Sequence, residues 1–232
     1  PSNRPLSRRF RRALEHAGET QDDRLPTYFE WCAPEATWAL LEPDFRKEAS
    51  PEEVRAPLRD FIRTLPQTAT LLDRMLALEC RFFLADHNLN YTDKMAMAHG
   101  VEVRVPFLDR DLAALAASIP DSLRIRRGVP KWILRKALEN DLPPEILRRP
   151  KTGFGVPLRA WLRGPLRACV DALLHPENLR RRGIFNPDAV RALVHADRAG
   201  RIDAAYTILG LICIEMWCRN FLDHPKSLSG SA

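Results

Sequence analysis

The chain has 232 residues, 45% apolar and 28% charged, proportions that suit an ordinary chain with a core and fall outside the disordered, collagen-like and membrane-spanning classes. Its ten glycines include no Gly-Gly pair, which rules out phosphate loops of the G-x-x-x-x-G-K-[ST] and G-x-G-x-x-G types, and its 19 prolines divide it into many short helices. The net charge of +6 is uneven: residues 124–182 hold 15 Lys/Arg against 5 Asp/Glu, an excess that suits an anionic partner or a solvated basic surface.

Residues 4–16 place Leu6, Phe10 and Leu14 on one stripe of a basic helix, and residues 1–12 show no charged-then-apolar leader. Short helical pieces are expected at 28–31 and 38–41, broken by Pro34 and Pro43. Ser50-Pro51-Glu52-Glu53 starts a helix that runs to about Thr64, with acids near the positive end of its dipole. Residues 70–84 keep Leu72, Met75, Leu76 and Phe82 in helical register, which predicts a long core helix, and the texture changes after Asp86-His87-Asn88.

Val101-Glu102-Val103-Arg104-Val105 alternates, as a short strand or an extended segment packed on a helix would, and Pro106 biases Val105 towards extended geometry. Asp109 is an N-cap for a helix carrying Leu112, Leu115 and Ile119 and ended by Pro120. A helix is expected at 130–141, ended by Pro143-Pro144. Residues 148–155 read as a loop, and further helices follow at 159–174, 187–196 and 202–222 before a polar tail at 224–232. The most apolar stretch, 204–214, is interrupted by Glu215 and falls short of the ~20 residues of a membrane span, so it reads as a buried helix. Cys32, Cys80, Cys169, Cys213 and Cys218 form no C-x-x-C and have no histidine at ligand spacing. That pattern suits reduced core thiols in the cytoplasm and no metal site.

Two constellations carry chemistry. In the alternating segment, Glu102 and Arg104 share the face opposite the valines, where they either pair to anchor the segment or organise a ligand pocket. In Arg148-Arg149-Pro150-Lys151-Thr152-Gly153-Phe154-Gly155, the glycines permit close backbone approach to a ligand, and Lys151 offers a compact mobile charge suited to phosphate oxygens, or is one more exposed lysine.

Both constellations, in this order, resemble the C-terminal synthetase domain of glutamine-dependent asparagine synthetases. The matching text is Asp93-Lys94-Met95-Ala96-Met97-Ala98-His99-Gly100-Val101-Glu102-Val103-Arg104-Val105-Pro106-Phe107-Leu108-Asp109, then Lys131-Trp132-Ile133-Leu134-Arg135-Lys136-Ala137, then Leu142-Pro143-Pro144-Glu145-Ile146-Leu147-Arg148-Arg149-Pro150-Lys151-Thr152-Gly153-Phe154-Gly155-Val156-Pro157. The likeness is strong over 65–222 and weak over 1–64, so residues 1–223 are expected to be the mainly α, helical C-terminal region of an α/β adenine-nucleotide-binding (ATP pyrophosphatase) synthetase domain.

The resemblance implies a reaction in which Mg-ATP adenylates a carboxylate, classically that of aspartate, with release of pyrophosphate. Ammonia from a glutaminase domain then forms the amide. It implies a catalytic role for Lys151 near the phosphates, and pocket positions for Asp93, Glu102, Arg104, Gly153 and Phe154. The family's Ser-Gly-Gly-x-Asp-Ser pyrophosphate loop, its acidic glycine-rich loop and its glutaminase cysteine do not occur in the chain. The expectation is therefore a C-terminal portion that needs an upstream ATP-binding half and a glutaminase domain as partners, and is inactive alone. The substrate carboxylate is not selected by these motifs, and the oligomeric state is open, a homodimer included. The competing expectation is a non-catalytic helical module whose basic 124–182 segment holds an anionic partner; no RNP-like or helix-turn-helix pattern supports nucleic acid in that role.

Overall fold

The computed structural model describes residues 18–47, 50–150 and 155–223. The expected helix at 4–16, the polar tail and the core of the lysine loop lie outside these residues. The described chain is mainly helical and divides into two compact units: one comprises the described residues within Pro1–Asp60 and Gly155–Ala232, the other those within Phe61–Phe154.

In the first unit the chain enters through α1 (Gln21–Thr27), whose N-terminus is capped by the Thr20 hydroxyl accepting from the Asp23 amide at 3.2 Å. α2 (Pro34–Trp38) follows. Both differ from expectation. Residues 28–31 form a turn after α1, and residues 38–41 leave α2 rather than begin a helix, because Pro34 occupies the first helical turn and starts the helix instead of breaking it. Ser50-Pro51 starts a helix as expected: a 3-10 turn, Pro51–Arg55, runs into α3 (Ala56–Thr64), and the Ser50 amide donates to the Glu53 carboxylate at 2.6 Å.

α3 carries the chain into the second unit. There Thr70 caps α4 (Leu71–Leu78), which continues without a break through wide π turns, Glu79–Leu89, into α5 (Asn90–Met97). The change of texture at 86–88 is thus absorbed inside the helix, where Phe83, His87 and Tyr91 form an aromatic ladder at i, i+4 spacing, with centroids 5.0 and 5.1 Å apart. Only Leu78 of this helix is fully buried, so it is less a core helix than its apolar register suggested.

α6 (Arg110–Ser118) is capped by Asp109 as expected, the carboxylate accepting from the Asp111 and Leu112 amides at 3.1 and 3.0 Å. α7 (Asp121–Arg124) leads into a hairpin, β1 (Ile125–Arg126) against β2 (Val129–Pro130), that the sequence reading missed. Arg127 and Gly128 both have positive φ, the geometry of a tight hairpin turn. Pro130 therefore ends a strand, and the helix expected at 130–141 shrinks to α8 (Trp132–Ala137). α9 (Pro144–Leu147) uses Pro144 as a starter. Arg124 ties this unit together: it donates to Asp73 at 2.5 Å and to the Ala117 carbonyl at 2.6 Å, and with the Thr70 amide it holds the Asp73 carboxyl below its ordinary range.

Back in the first unit, the helix expected at 159–174 is two, α10 (Leu158–Arg163) and α11 (Arg167–Leu173), parted at Gly164-Pro165. α12 (Pro176–Arg182) was not foreseen, although Pro176 at its start and Gly183 at φ +67 at its end are ordinary helix punctuation. α13 (Pro187–Arg198) is capped by Asn186, and α14 (Ala205–Cys218) continues as a π turn, Arg219–Asp223. The core of this unit gathers Leu40 with Leu158, Leu162, Val170, Val190 and Ile208. Burying each such side chain contributes about 1.5–3 kcal/mol. The Leu40 and Glu42 backbones are pinned to 184–186 by hydrogen bonds of 2.8 and 2.9 Å.

The helical stretch Ala205–Asp223 is long and apolar enough, by length and composition, to cross a membrane. One face, with Ala205, Ile208 and Ile212 buried, packs on α10 and α11 as a core helix does. The opposite face, with Ile214, Trp217 and Phe221, is exposed, so the helix is not buried all round as expected. The buried face carries Glu215, 3% exposed, which accepts from Arg182 at 2.9 Å and Arg219 at 2.7 Å. Burial pushes the Glu215 carboxyl up, but these two guanidinium groups outweigh it and hold it below its ordinary value. Because the folded pKa lies below the unfolded one, this stabilisation is complete above the unfolded value of about 4.3 and is lost as pH falls through the folded pKa. The thermal midpoint should drop as pH falls from about 5 to about 3, and Glu215→Gln should flatten that dependence.

Candidate functional site

The segment bearing Asp93, Glu102 and Arg104 is built from a helix end, an extended run and a new helix start. α5 stops by a paired-carbonyl C-cap: the Val101 amide donates to the Ala96 carbonyl and the Gly100 amide to that of Met97, both at 3.0 Å, with Gly100 at φ +66. Nothing lies within 4 Å of where a Gly100 side chain would begin, so its need for glycine is conformational alone. Gly100→Ala should cost about 1 kcal/mol in chemical denaturation with an unchanged m-value.

Residues 101–105 take neither form expected for them: they pair with no strand among the described residues and, being exposed throughout, are not packed on a helix; Pro106–Leu108 closes a 3-10 turn before the Asp109 cap. Glu102 and Arg104 meet at 2.7 Å with both side chains largely in solvent, so their pairing adds little stability and leaves both heads open to a ligand or a partner. Asp93 is exposed in α5, one turn before the C-cap.

Every residue from 97 to 118 is exposed. That run includes Val101 (53%), Val103 (45%), Val105 (44%), Phe107 (67%) and Leu115 (61%). Large apolar side chains exposed in this number mark a surface suited to cover by another element. The sequence alternation told which of these residues share a face; it gave no sign that neither face is covered among the described residues.

Lys151, Gly153 and Phe154 lie outside the described residues. The stem leading to them is described: Arg135, from the second matching block, donates to the Pro130 carbonyl at 3.2 Å and to the Leu147 carbonyl, tying α8 to the last turn of α9 just before the loop. Sequence reasoning did not single out Arg135, because its partners are carbonyls, which carry no side-chain signal.

Among the described residues no three His, Cys, Asp or Glu side chains gather to hold a metal, and no glycine-rich cradle for phosphates is present. These residues do not by themselves fit a magnesium–nucleotide complex. The five cysteines are free. Much of the basic segment is committed internally: Arg124 to Asp73, Arg159 to Asp203 (2.8 and 2.9 Å), Arg163 to Asp197 (3.0 and 3.1 Å) and Arg182 to Glu215 and Asp223. That weighs against a basic surface wholly given over to an anionic macromolecule.

The asparagine synthase family profile matches residues 2–219. The chain is similar to asparagine synthetase [glutamine-hydrolyzing] 1 of Bacillus subtilis, 31% identical over 146 residues, which are 63% of this chain and 23% of that protein. It is also similar to the glutamine-hydrolysing asparagine synthetases of Gallus gallus (48% identical) and Mus musculus (46%), each over 65 residues, 27% of this chain and 12% of theirs. The chain spans about a quarter or less of the length of these relatives. No solved structure matches.

Proposed function

The chain belongs to the asparagine synthase family, and on that premise we propose that it is the C-terminal portion of an asparagine synthetase-type amidotransferase. In this reading the whole enzyme uses ATP to adenylate a carboxylate, classically that of aspartate. It releases pyrophosphate, and ammonia derived from glutamine then attacks the activated carbonyl to give the amide. A carboxylate oxygen is a poor leaving group until it is esterified in this way, and the departing anion needs fixed positive charge.

Residues of this chain contribute Lys151 as that charge, with Asp93, Glu102, Arg104, Gly153 and Phe154 around the pocket. The helical region is thus the C-terminal part of an ATP pyrophosphatase-type synthetase domain, in a cytoplasmic enzyme. The family's main ATP and magnesium loops and its glutaminase cysteine do not occur in this sequence, so in this reading other polypeptide completes those sites.

The observation that carries the reading is the exposed run 97–118, which overlaps the first matching block, 93–109, over residues 97–109. Its valines and Phe107 are placed to be covered by the ATP-binding half, which would bring the Glu102–Arg104 pair to the edge of the shared cleft. The test is to purify the chain alone and together with an upstream polypeptide of a family member carrying the glutaminase and ATP-binding portions. Aspartate-dependent ATP–pyrophosphate exchange is expected only from the mixture. Exchange by the chain alone, or none from a stable complex, would overturn the proposal.

A further inference from the structure

A second site lies in the first unit, independent of the amide-forming reading. α11, the start of α12 and α13 line an open cleft of about 560 Å³, within the range of small-ligand pockets. Its floor is apolar: Val170, Val190, Leu174 and Val194 line it and are all under 10% exposed. Its rim is rich in donors, with Arg167, Arg191, Arg198, His175 and His195, against one carboxylate, Asp171.

The rim groups are not equally available. Arg198 neutralises Asp171 at 2.8 Å and also donates to the Arg167 carbonyl at 3.3 Å. Arg191 is held by Asp188 at 2.8 Å, with both side chains in solvent. The Arg167 guanidinium has no hydrogen-bond or ion-pair partner among the described residues. The two histidines are oriented alike: Nδ1 of His175 accepts from the Glu177 amide at 3.4 Å, and Nδ1 of His195 accepts from Arg201 at 2.8 Å. Those bonds place the ring hydrogen on Nε2 in both. The cleft therefore offers one uncompensated fork of N–H donors and two imidazole donors above an apolar floor.

We propose that this cleft binds a small amphipathic oxyanion, a carboxylate or phosphate ester on an apolar body about the size of one ring. An oxyanion head matches the Arg167 fork, and the imidazole N–H groups can complete its shell. The body displaces water from the valine and leucine floor. A neutral apolar molecule would leave the donors unpaired, and a bare ion would leave the floor wet; neither matches both halves of the cleft.

Titration of the intact chain with phenyl phosphate, benzoate, inorganic phosphate and benzyl alcohol tests this, read by calorimetry and by the ring resonances of the histidines. The expected result is that phenyl phosphate or benzoate binds at least tenfold tighter than both inorganic phosphate and benzyl alcohol. His175 and His195 should shift, while His87 and His99 stay still. Preference between the two aromatic anions identifies the head group. Arg167→Gln, which removes an exposed and unpaired side chain and should leave the thermal midpoint unchanged, is expected to weaken binding about tenfold or more, the loss of one charge-assisted hydrogen bond. Equal binding of inorganic and phenyl phosphate, no binding of either aromatic anion at millimolar concentration, or unchanged affinity in Arg167→Gln would overturn the assignment.

Discussion

Lys151→Ala in the reassembled enzyme is expected to lower aspartate-dependent ATP–pyrophosphate exchange by about 10²–10³-fold, the usual consequence of removing one group that stabilises transition-state charge. The loss should fall on kcat, with KM for aspartate changing little, because the charge is needed where negative charge develops rather than where the carboxylate first binds. The thermal midpoint of the variant should match that of the parent chain. Lys151→Arg should recover only part of the rate, since a planar fork does not replace a compact ammonium group. Full activity of Lys151→Ala would remove the lysine from the chemistry.

Arg182→Ala should cost about 3–5 kcal/mol, the largest stability effect expected of a single charged residue here. Arg182 is 11% exposed and bridges α12 to α14 and the π turn beyond it, donating to Glu215 at 2.9 Å and to Asp223 at 2.5 Å. Asp223 and Glu215 hold its guanidinium protonated far above any working pH, so the bridge is lost only where the carboxylates are protonated. Removing it leaves Glu215, 3% exposed, to be compensated by the half-exposed Arg219 guanidinium. Urea unfolding monitored by tryptophan fluorescence measures this. Glu215→Gln should cost less than Arg182→Ala, because Arg182 then keeps Asp223.

What the sequence made legible was local. Asp109, Ser50-Pro51 and Asn186-Pro187 announce helix starts because capping chemistry needs only three or four neighbouring residues. Pro34, Pro144 and Pro176 were harder, since a proline that stops one helix is chemically the same as one that starts the next. The Arg127-Gly128 hairpin escaped because a two-residue strand has no periodicity to see.

The candidate site divides the same way. The motif blocks nominated Glu102, Arg104 and Lys151 as candidates, and alternation correctly placed Glu102 beside Arg104. Neither could show that the apolar side chains of 97–118 go uncovered among the described residues, because exposure depends on the other elements. The bonds of Arg135 to carbonyls, and of Arg182 to a carboxylate 33 residues away, are likewise long-range facts that no local pattern encodes.

The central claim is that the face from Met97 to Ser118 is covered by the ATP-binding half of an asparagine synthetase-type enzyme. Amide hydrogen exchange of the chain, alone and in complex with that half, measures this directly. The account predicts strong protection in the complex at residues 97–118, with rapid exchange at 102–105 in the chain alone, where these residues pair with no strand among the described residues. Unchanged exchange across 97–118 in a complex shown by sedimentation to be intact would contradict it.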